Sequence, residues 1–252
     1  METLNINNPF GGSVFYIEQV NSTMDQARIL LHNGVKTGSL IVADEQISGR
    51  GRGSGRVWHS QHGKNLLFTL IMHYENLPAA LSLRTGLALA RTVEEYIPDI
   101  TGRIAIKWPN DVLVDSKKIA GILIEVDQDI IYIGIGINVG QTTFEPELQT
   151  KTNSIACIMD RPLEPEFRFL FLERILAQLF REFSTQNSNW HNELERYLYR
   201  RGEYVKFKVG SSESTLIAEG ILQGINSTGS LCIINSSGEK SEFSSGELIF
   251  TD

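Results

Sequence analysis

Cysteine is nearly absent from the 252 residues: Cys157 and Cys232 stand far apart, with no His or Cys nearby at metal-ligand spacing. That pattern is no disulfide framework, and both thiols are expected to be reduced and buried. No apolar run approaches the roughly 18 residues that a membrane span needs. The N-terminus has Glu2 and polar asparagines where a secretory leader needs basic and then apolar residues. A cytoplasmic protein is expected, with no membrane partner. Positive charge is in deficit as well, 23 Lys and Arg against 30 Asp and Glu, for a net charge of −7. A general nucleic-acid binder usually carries the opposite field. Internal repeats and low-complexity segments are lacking. The remainder is ordinary for a globular chain, 41% hydrophobic and 21% charged, of a length for one large domain or a large and a small one.

Against the acidic background one stretch is basic. From Gln46 to Ser60 the chain reads Gln-Ile-Ser-Gly-Arg-Gly-Arg-Gly-Ser-Gly-Arg-Val-Trp-His-Ser, with Gly49, Gly51, Gly53 and Gly55 alternating with Arg50, Arg52, Ser54 and Arg56. The glycines loosen the backbone and the arginines bring planar, permanently charged forks. A mobile loop is expected that closes amides and guanidinium groups around a phosphate or carboxylate. A solvated basic loop that binds RNA is the competing reading.

The rest of the chain supplies a scaffold. Residues 1–13 read as a polar lead-in and Val14–Ile17 as a first strand. Ser22-Thr23 precedes Met24, Ala27, Leu30 and Leu31 at helical spacing, with Asn33-Gly34 as a stop. Ser39–Ala43 and Asn65–His73 read as strands, and Pro78–Ile97 as a helix. Strands at Arg103–Trp108, Lys118–Val126 and Ile130–Val139 follow, the last two joined by an Asp127-Gln128-Asp129 hairpin. Residues 140–164 are polar and poorly patterned, with a short helix near Ser154–Met159. Pro165 opens an amphipathic helix to Thr185, and a second runs from Ser188 to Arg200. Beyond Gly202 come short strands at Tyr204–Val209, Thr215–Ile225, Ser230–Ile234 and Glu242–Phe250, broken by Gly, Ser and Asn turns such as Gly210-Ser211-Ser212. These elements predict an α+β fold with a mixed or antiparallel sheet flanked by helices, residues 1–200, and a small SH3-like β-barrel, residues 203–252.

Three further clusters carry candidate chemistry, each with a plainer alternative. Lys107-Trp108-Pro109-Asn110-Asp111 ends a strand where functional groups tend to be displayed, and Pro-Asn-Asp is also common turn chemistry. Lys118 begins the apolar run Lys-Ile-Ala-Gly-Ile-Leu, so that a cation reaches a cleft beside the bare backbone of Gly121; it is also where a strand-end lysine reaches solvent. In Gly134-Ile-Gly136-Ile-Asn138 the period of two puts both glycines and Asn138 on one face, a shallow groove closed by an amide. That run fails as a dinucleotide fingerprint for want of the third glycine and a helix start. Ser22 and Thr23 are N-cap candidates that would also leave free amides facing a ligand.

In this order, Ser-Thr, Gln-x-x-Gly-Arg-Gly-Arg, Trp, Lys-Trp-Pro-Asn-Asp, Lys-x-Ala-Gly-Ile-Leu-x-Glu and Gly-x-Gly-x-Asn, the clusters resemble the biotin–protein ligase family over about residues 14–140. The resemblance implies a class II synthetase-like catalytic domain with a small SH3-like domain. It implies ATP-dependent attachment of biotin, through biotinyl-5′-AMP and with Mg²⁺, to a lysine of a biotin carboxyl carrier domain. It sets Ser22, Thr23, Met24 and Gln46 near the biotin head, and Gly49, Arg50, Gly51 and Arg52 in a loop folding over biotin and the adenylate. Lys118 would reach the biotin carboxylate and the reacting phosphate, next to Gly121 and Gly136. Trp58, Lys107, Asn110, Asp111 and Asn138 would lie on the ATP and catalytic side. Asp111 either handles the proton of the incoming amine or positions metal, and no metal ligand is otherwise indicated.

The chain departs from the family pattern in places. Met24 stands where many relatives have Asn. The Gly53-Ser54-Gly55-Arg56 segment is one residue longer, which leaves the third arginine without an assigned role. Thr251 stands near where some relatives have a basic residue after the Gly-Glu pair, here Gly246-Glu247. The motifs begin almost at the N-terminus, so no DNA-binding domain is expected; a homodimer paired through strand edges is compatible with the pattern. The rival readings are a lipoate or octanoate ligase of the same fold and, from another class, a non-catalytic nucleic-acid-binding module.

Overall fold

The fold is described from a computed structural model, which describes residues 1–53, 55–184, 189–210 and 214–249. The N-terminal part runs β1 (Glu2–Leu4), β2 (Val14–Val20), α1 (Thr23–His32), β3 (Leu40–Gln46), then a ribbon of β4 (Gly49–Arg50) and β5 (Val57–Trp58). It continues with β6 (Asn65–His73), α2 (Leu81–Tyr96), β7 (Ile104–Lys107), β8 (Asp111–Val114), β9 (Lys117–Asp127) and β10 (Ile130–Asn138). Helices α3 (Ile155–Ile158), α4 (Phe167–Ser184) and α5 (Trp190–Leu194) lead to the C-terminal strands β11 (Tyr204–Val209), β12 (Ile217–Ile225), β13 (Leu231–Ile234), β14 (Lys240–Phe243) and β15 (Gly246–Ile249).

Eight strands form one mixed sheet in the order β1-β2-β3-β6-β10-β9-β8-β7, antiparallel except for the β2–β3 pair. Alternation along its strands decides which helix covers which face. Ile41, Ile71, Ile130 and Tyr132 point to α1 and bury Met24, Ala27 and Leu30. Their neighbours Leu40, Val42, Leu70, Ile131 and Ile133 point the other way, to a larger core with Leu87 and Val93 of α2 and Phe171, Ile175 and Leu179 of α4. Side chains of this size contribute roughly 1.5–3 kcal/mol each when fully buried. Buried ion pairs fix the helices: Arg84 and Arg91 meet Glu182 at 2.7 and 2.6 Å, and Arg168 meets Asp44 at 2.8 Å. Asp44 also accepts a 2.8 Å bond from the Tyr16 hydroxyl, and burial followed by that bond pushes the phenol up to about 12.

The C-terminal strands form a five-stranded antiparallel sheet in the order β14-β13-β12-β11-β15. It is not packed separately: Phe207, Leu222, Leu231 and Leu248 belong to the same buried cluster as Trp108 of the β7–β8 connection. The Trp108 indole donates to the Gly229 carbonyl at 3.0 Å, and its ring meets Phe207 edge-on at 5.6 Å.

Several expectations are corrected. The polar lead-in contains β1, paired antiparallel with β2. An unforeseen strand, β8, begins at Asp111 and pairs with both β7 and β9. The second helix is five residues long, because residues after it dock on the edge of β7: Ile106 donates to Tyr197 at 2.6 Å and receives from Tyr199 at 3.0 Å. Its expected start, Ser188, lies outside the described residues, as does Thr185 at the end of the preceding helix. The run Glu242–Phe250 is two strands, β14 and β15, split at Ser244-Ser245; Phe250 is outside the described residues, as are Ser211 and Ser212 of the expected turn. Cys232 is buried but Cys157 is exposed, since it follows two buried positions of α3 on that short helix's outer side.

Candidate active-site cleft

The residues singled out in the sequence converge where the N-terminus of α1, the end of β3, the β4–β5 ribbon and the middles of β9 and β10 meet. Ser22 caps α1, its hydroxyl accepting from the Met24 amide at 3.3 Å. Thr23 donates to the Gln46 side-chain carbonyl twice, from its amide at 2.8 Å and its hydroxyl at 3.0 Å, and receives from Thr69 at 2.8 Å. The helix N-terminus is thereby tied to β3, and its polar end faces a cleft. Arg50, Gly51, Arg52, Trp58, Asn110, Lys118, Gly121 and Gly136 complete the polar and glycine part of the wall; Met24, Ile122, Leu123 and Ile135 form the apolar part. The cleft is narrow and opens to solvent, with about 50 Å³ of free space for water-sized groups between these walls.

The glycine–arginine stretch differs from the mobile loop expected. Gly49 pairs with Trp58 and Arg50 with Val57, and the Gly51 amide donates to Arg56 at 2.8 Å, so the segment is a short antiparallel ribbon. Ser54 lies outside the described residues. The ribbon lays the Trp58 indole across β9 and β10, where Gly121 and Gly136 are register partners. A β-carbon at Gly136 would lie 2.7 Å from the indole and one at Gly121 2.9 Å, so only glycine at both positions admits the ring. The Trp58 indole N–H is buried and has no hydrogen-bond partner among the described residues.

Charge is arranged in two groups. Arg50 forms a two-pronged pair with Asp25 at 2.7 and 2.8 Å and lies 3.6 Å from Glu125, which also holds Arg28 at 2.5 Å. The Arg50 bond holds the Asp25 carboxyl below its usual range, and the Asp25 bond raises the guanidinium. Lys118 meets Asp111 at 2.7 Å and sits 5.4 Å from the Trp58 ring centre. Lys107 lies opposite Asp111 in the β7–β8 hairpin, and burial lowers its pKa, with the charges of Asp111 and Glu247 opposing. Arg52 donates to the Gly246 carbonyl and Arg56 to the Glu247 carboxylate, both in β15. Burial lowers the Arg52 pKa.

Not every candidate lines the cleft. Gly49, Lys107 and Asp111 are not part of its wall, though Asp111 meets Lys118, which is. Asn110, which does line the cleft, locks β9: its side-chain amide donates to the Ile122 carbonyl at 2.9 Å and its backbone carbonyl accepts from the Ile122 amide at 2.9 Å. Asn138 is buried, receiving from Asn65 at 2.9 Å and donating to Asn153 at 3.0 Å. It pins the segment after β10 and borders a second cleft of about 130 Å³, walled by Val57, Phe144 and Leu148. Trp58 and Lys118 line both clefts. Asp25, Phe144 and Leu148 escaped the sequence reading, and Glu125 and Glu247 entered it only as motif letters without a role. An acid beside Ser-Thr-Met was the available signal for Asp25; Phe144 and Leu148 stand in a segment without periodicity.

Among the described residues no group of three or more His, Cys, Asp or Glu side chains could hold a metal ion. The carboxylates next to the cleft are already engaged, Asp111 by Lys118 and Asp25 and Glu125 by Arg50; these side chains alone make no metal cage. No helix among the described residues is long and apolar enough to cross a membrane.

Comparison with known proteins agrees with this arrangement. The model of the biotin/lipoate A/B protein ligase family matches residues 16–141, half of the chain. The chain is 38% identical over 154 residues to the bifunctional ligase/repressor BirA of Bacillus subtilis (strain 168), a match covering 58% of this chain and 47% of that protein. It thus spans about half the length of that relative. It is 29% identical over 209 residues to the biotin–[acetyl-CoA-carboxylase] ligase of Mycobacterium tuberculosis, covering 78% of this chain and 73% of the relative. Among solved structures, the biotin protein ligase from Aquifex aeolicus in complex with biotin and ATP superimposes with a TM-score of 0.79 at 28% identity, covering 94% and 97% of the two chains. Motif order, sheet topology and these likenesses agree: the chain belongs to the biotin/lipoate A/B protein ligase family.

Proposed function

We propose that this chain is a biotin–protein ligase that joins biotin to ATP, giving biotinyl-5′-AMP and pyrophosphate, and then transfers the biotinyl group to a lysine of a carboxylase's biotin carboxyl carrier domain. The observation that carries the reading is the placement of Lys118. Its ammonium borders both clefts at once, held by Asp111 at 2.7 Å. The first cleft suits biotin: a polar end at Ser22, Thr23 and Gln46, and apolar walls from Met24, Leu123 and Ile135. The second suits the nucleoside, with Phe144, Leu148, Val57 and Trp58 as apolar walls.

A carboxylate oxygen of biotin attacks the α-phosphorus and pyrophosphate leaves. Two anions must approach, and a cation fixed between the clefts offsets their repulsion before the reaction begins. Lys118 is that cation; Lys107 stands behind it, and Asp111 orients it rather than touching substrate. Arg50 and Arg52, carried by the ribbon with Gly49 and Gly51, lie over the site and would exclude water from the hydrolysable anhydride. In the second step the acceptor amine attacks the acyl carbon and AMP leaves. Mg²⁺ would accompany the nucleotide, held by phosphate oxygens more than by this chain's side chains. Asn110 and Asn138 hold β9 and the 140–153 segment in place. Residues 1–200 are proposed as the catalytic unit and 203–252 as a second unit on its flank.

Exchange of labelled pyrophosphate into ATP tests this. It is expected with biotin and absent with lipoate, and Lys118→Ala should slow it about a hundredfold with the fold unchanged. Exchange with lipoate alone would move the chain to lipoate chemistry, and a near-normal rate in the Lys118 variant would remove that lysine from the mechanism.

A further inference from the structure

Two arginines of the ribbon find partners far away in sequence. Arg52 and Arg56 both reach β15 of the C-terminal sheet, Arg52 to the Gly246 carbonyl and Arg56 to the Glu247 carboxylate. These contacts span 194 and 191 residues of sequence, so they join parts of the molecule that local structure does not bring together. Both acceptors are fixed by the barrel's own geometry. Gly246 has φ 146°, and a β-carbon there would lie 2.2 Å from the Phe207 ring and 2.3 Å from the Lys208 carbonyl. Only glycine fits, and it turns the strand so that one carbonyl faces the ribbon. Glu247 follows, opposite Lys208 in the β11–β15 ladder. Burial would raise its pKa, but the Arg56 bond and the charges of Arg56, Lys107 and Arg52 outweigh burial and hold it ionised below the usual carboxylate range. On the ribbon side, Gly53 and Gly55 have φ of 99° and 73°, conformations that allow the tip to turn Arg56 toward β15.

We infer that Gly246 and Glu247 form a clasp through which the C-terminal barrel holds the arginine ribbon closed over the cleft, with Glu247 a positioning residue that acts through Arg56. The ribbon then has two moorings: Arg50 on Asp25 within the catalytic unit, and Arg52 with Arg56 on the barrel. What the closed ribbon retains, the acyl-adenylate, rests on the function proposed above; the clasp itself does not. The Arg56–Glu247 pair is partly solvent-exposed, with side-chain exposures of 48% and 30%, so its rupture should have a moderate and salt-sensitive effect.

Trypsin reads the clasp directly in the ligand-free, full-length chain, because Arg50 and Arg52 are cleavage sites only when the ribbon opens. Glu247→Gln and Arg56→Gln should each speed cleavage after Arg50 and Arg52 about threefold at low salt, with the difference shrinking at high salt. The swap Arg56→Glu with Glu247→Arg should return cleavage toward the wild-type rate. Unchanged cleavage in both single variants, or a swap that is cleaved as fast as they are, overturns the clasp. A second measurement follows loss of preformed biotinyl-adenylate from the enzyme, expected to be severalfold faster in Glu247→Gln and restored by the swap. A wild-type chain without biotin-dependent exchange would sink the proposed reaction while leaving the trypsin result to decide on the clasp.

Discussion

At the scale of single residues, the cleft depends on which charges persist and over what pH range. Lys107 is the informative case. Its pKa is lowered, first by burial and then by the neighbouring Lys118 and Arg56, with Asp111 and Glu247 in opposition. A base whose pKa is depressed is cationic only below the lowered value, so Lys107 loses its charge as pH rises, before an ordinary lysine would. If that charge serves the nucleotide, KM for ATP should climb on the alkaline side below the usual lysine range. Lys107→Arg, which stays charged, should carry the rise to higher pH. A KM profile that does not move would take Lys107 out of nucleotide binding. Asp25 behaves oppositely: its lowered pKa keeps the Arg50 pair intact as pH falls through the ordinary carboxylate range. The stability it contributes is present above the unfolded-state pKa and is lost only as pH drops through the folded value.

At the scale of elements, the pair Gly121–Gly136 in β9 and β10 is unusual because it makes room for a side chain of the same protein. The Trp58 indole lies where two β-carbons would otherwise be. The bare strand face, readable in the sequence as a ligand groove, is partly filled by the ribbon's own ring, which divides one groove into two clefts. Gly136→Ala must therefore push the ring aside, at a cost in the range of about 1–3 kcal/mol for overpacking. Paired with Trp58→Ala, the two substitutions should be coupled by about 1 kcal/mol in denaturant unfolding, the double variant losing less than the sum. Additive losses would show that the indole does not rest on that glycine. The same element shows how far periodicity carries: alternation placed Gly134, Gly136 and Asn138 on one face, but the asparagine's partners, Asn65 and the Asn153 carbonyl, come from segments remote in sequence.

At the scale of the whole molecule, the C-terminal sheet is part of the main core. Trp108, 2% exposed, is covered by Phe207 and satisfied by the Gly229 carbonyl. Removal of residues 203–252 would expose the ring and leave its indole donor without that partner. An effect comparable to deletion of a buried aromatic, about 3–5 kcal/mol, should lower the melting temperature by on the order of 10 °C. A truncated chain that melts where the intact one does would make the two units independent, and would leave the ribbon's contact with β15 as a surface encounter.

The sequence by itself determined much of this protein. Asn65–His73 and Tyr204–Val209 appear as strands with the bounds foreseen, because each is an apolar or alternating run closed by turn residues, and such signals are local. The helix start at Ser22 was legible for the same reason, as a cap acts within three residues of itself. The ordered motifs were legible as a family likeness, and most of them do converge on one cleft. Tertiary structure decided what local signals cannot carry. The chain after Leu194 leaves the helical path to pair with Ile106, and the arginine stretch becomes a ribbon because Gly49 finds Trp58. Arg56 gains a partner only where folding brings β15 within reach. For Ile106 and for Arg56 the bond spans a distance in sequence over which no propensity acts, so the outcome rests on which edge or which acid the fold places opposite.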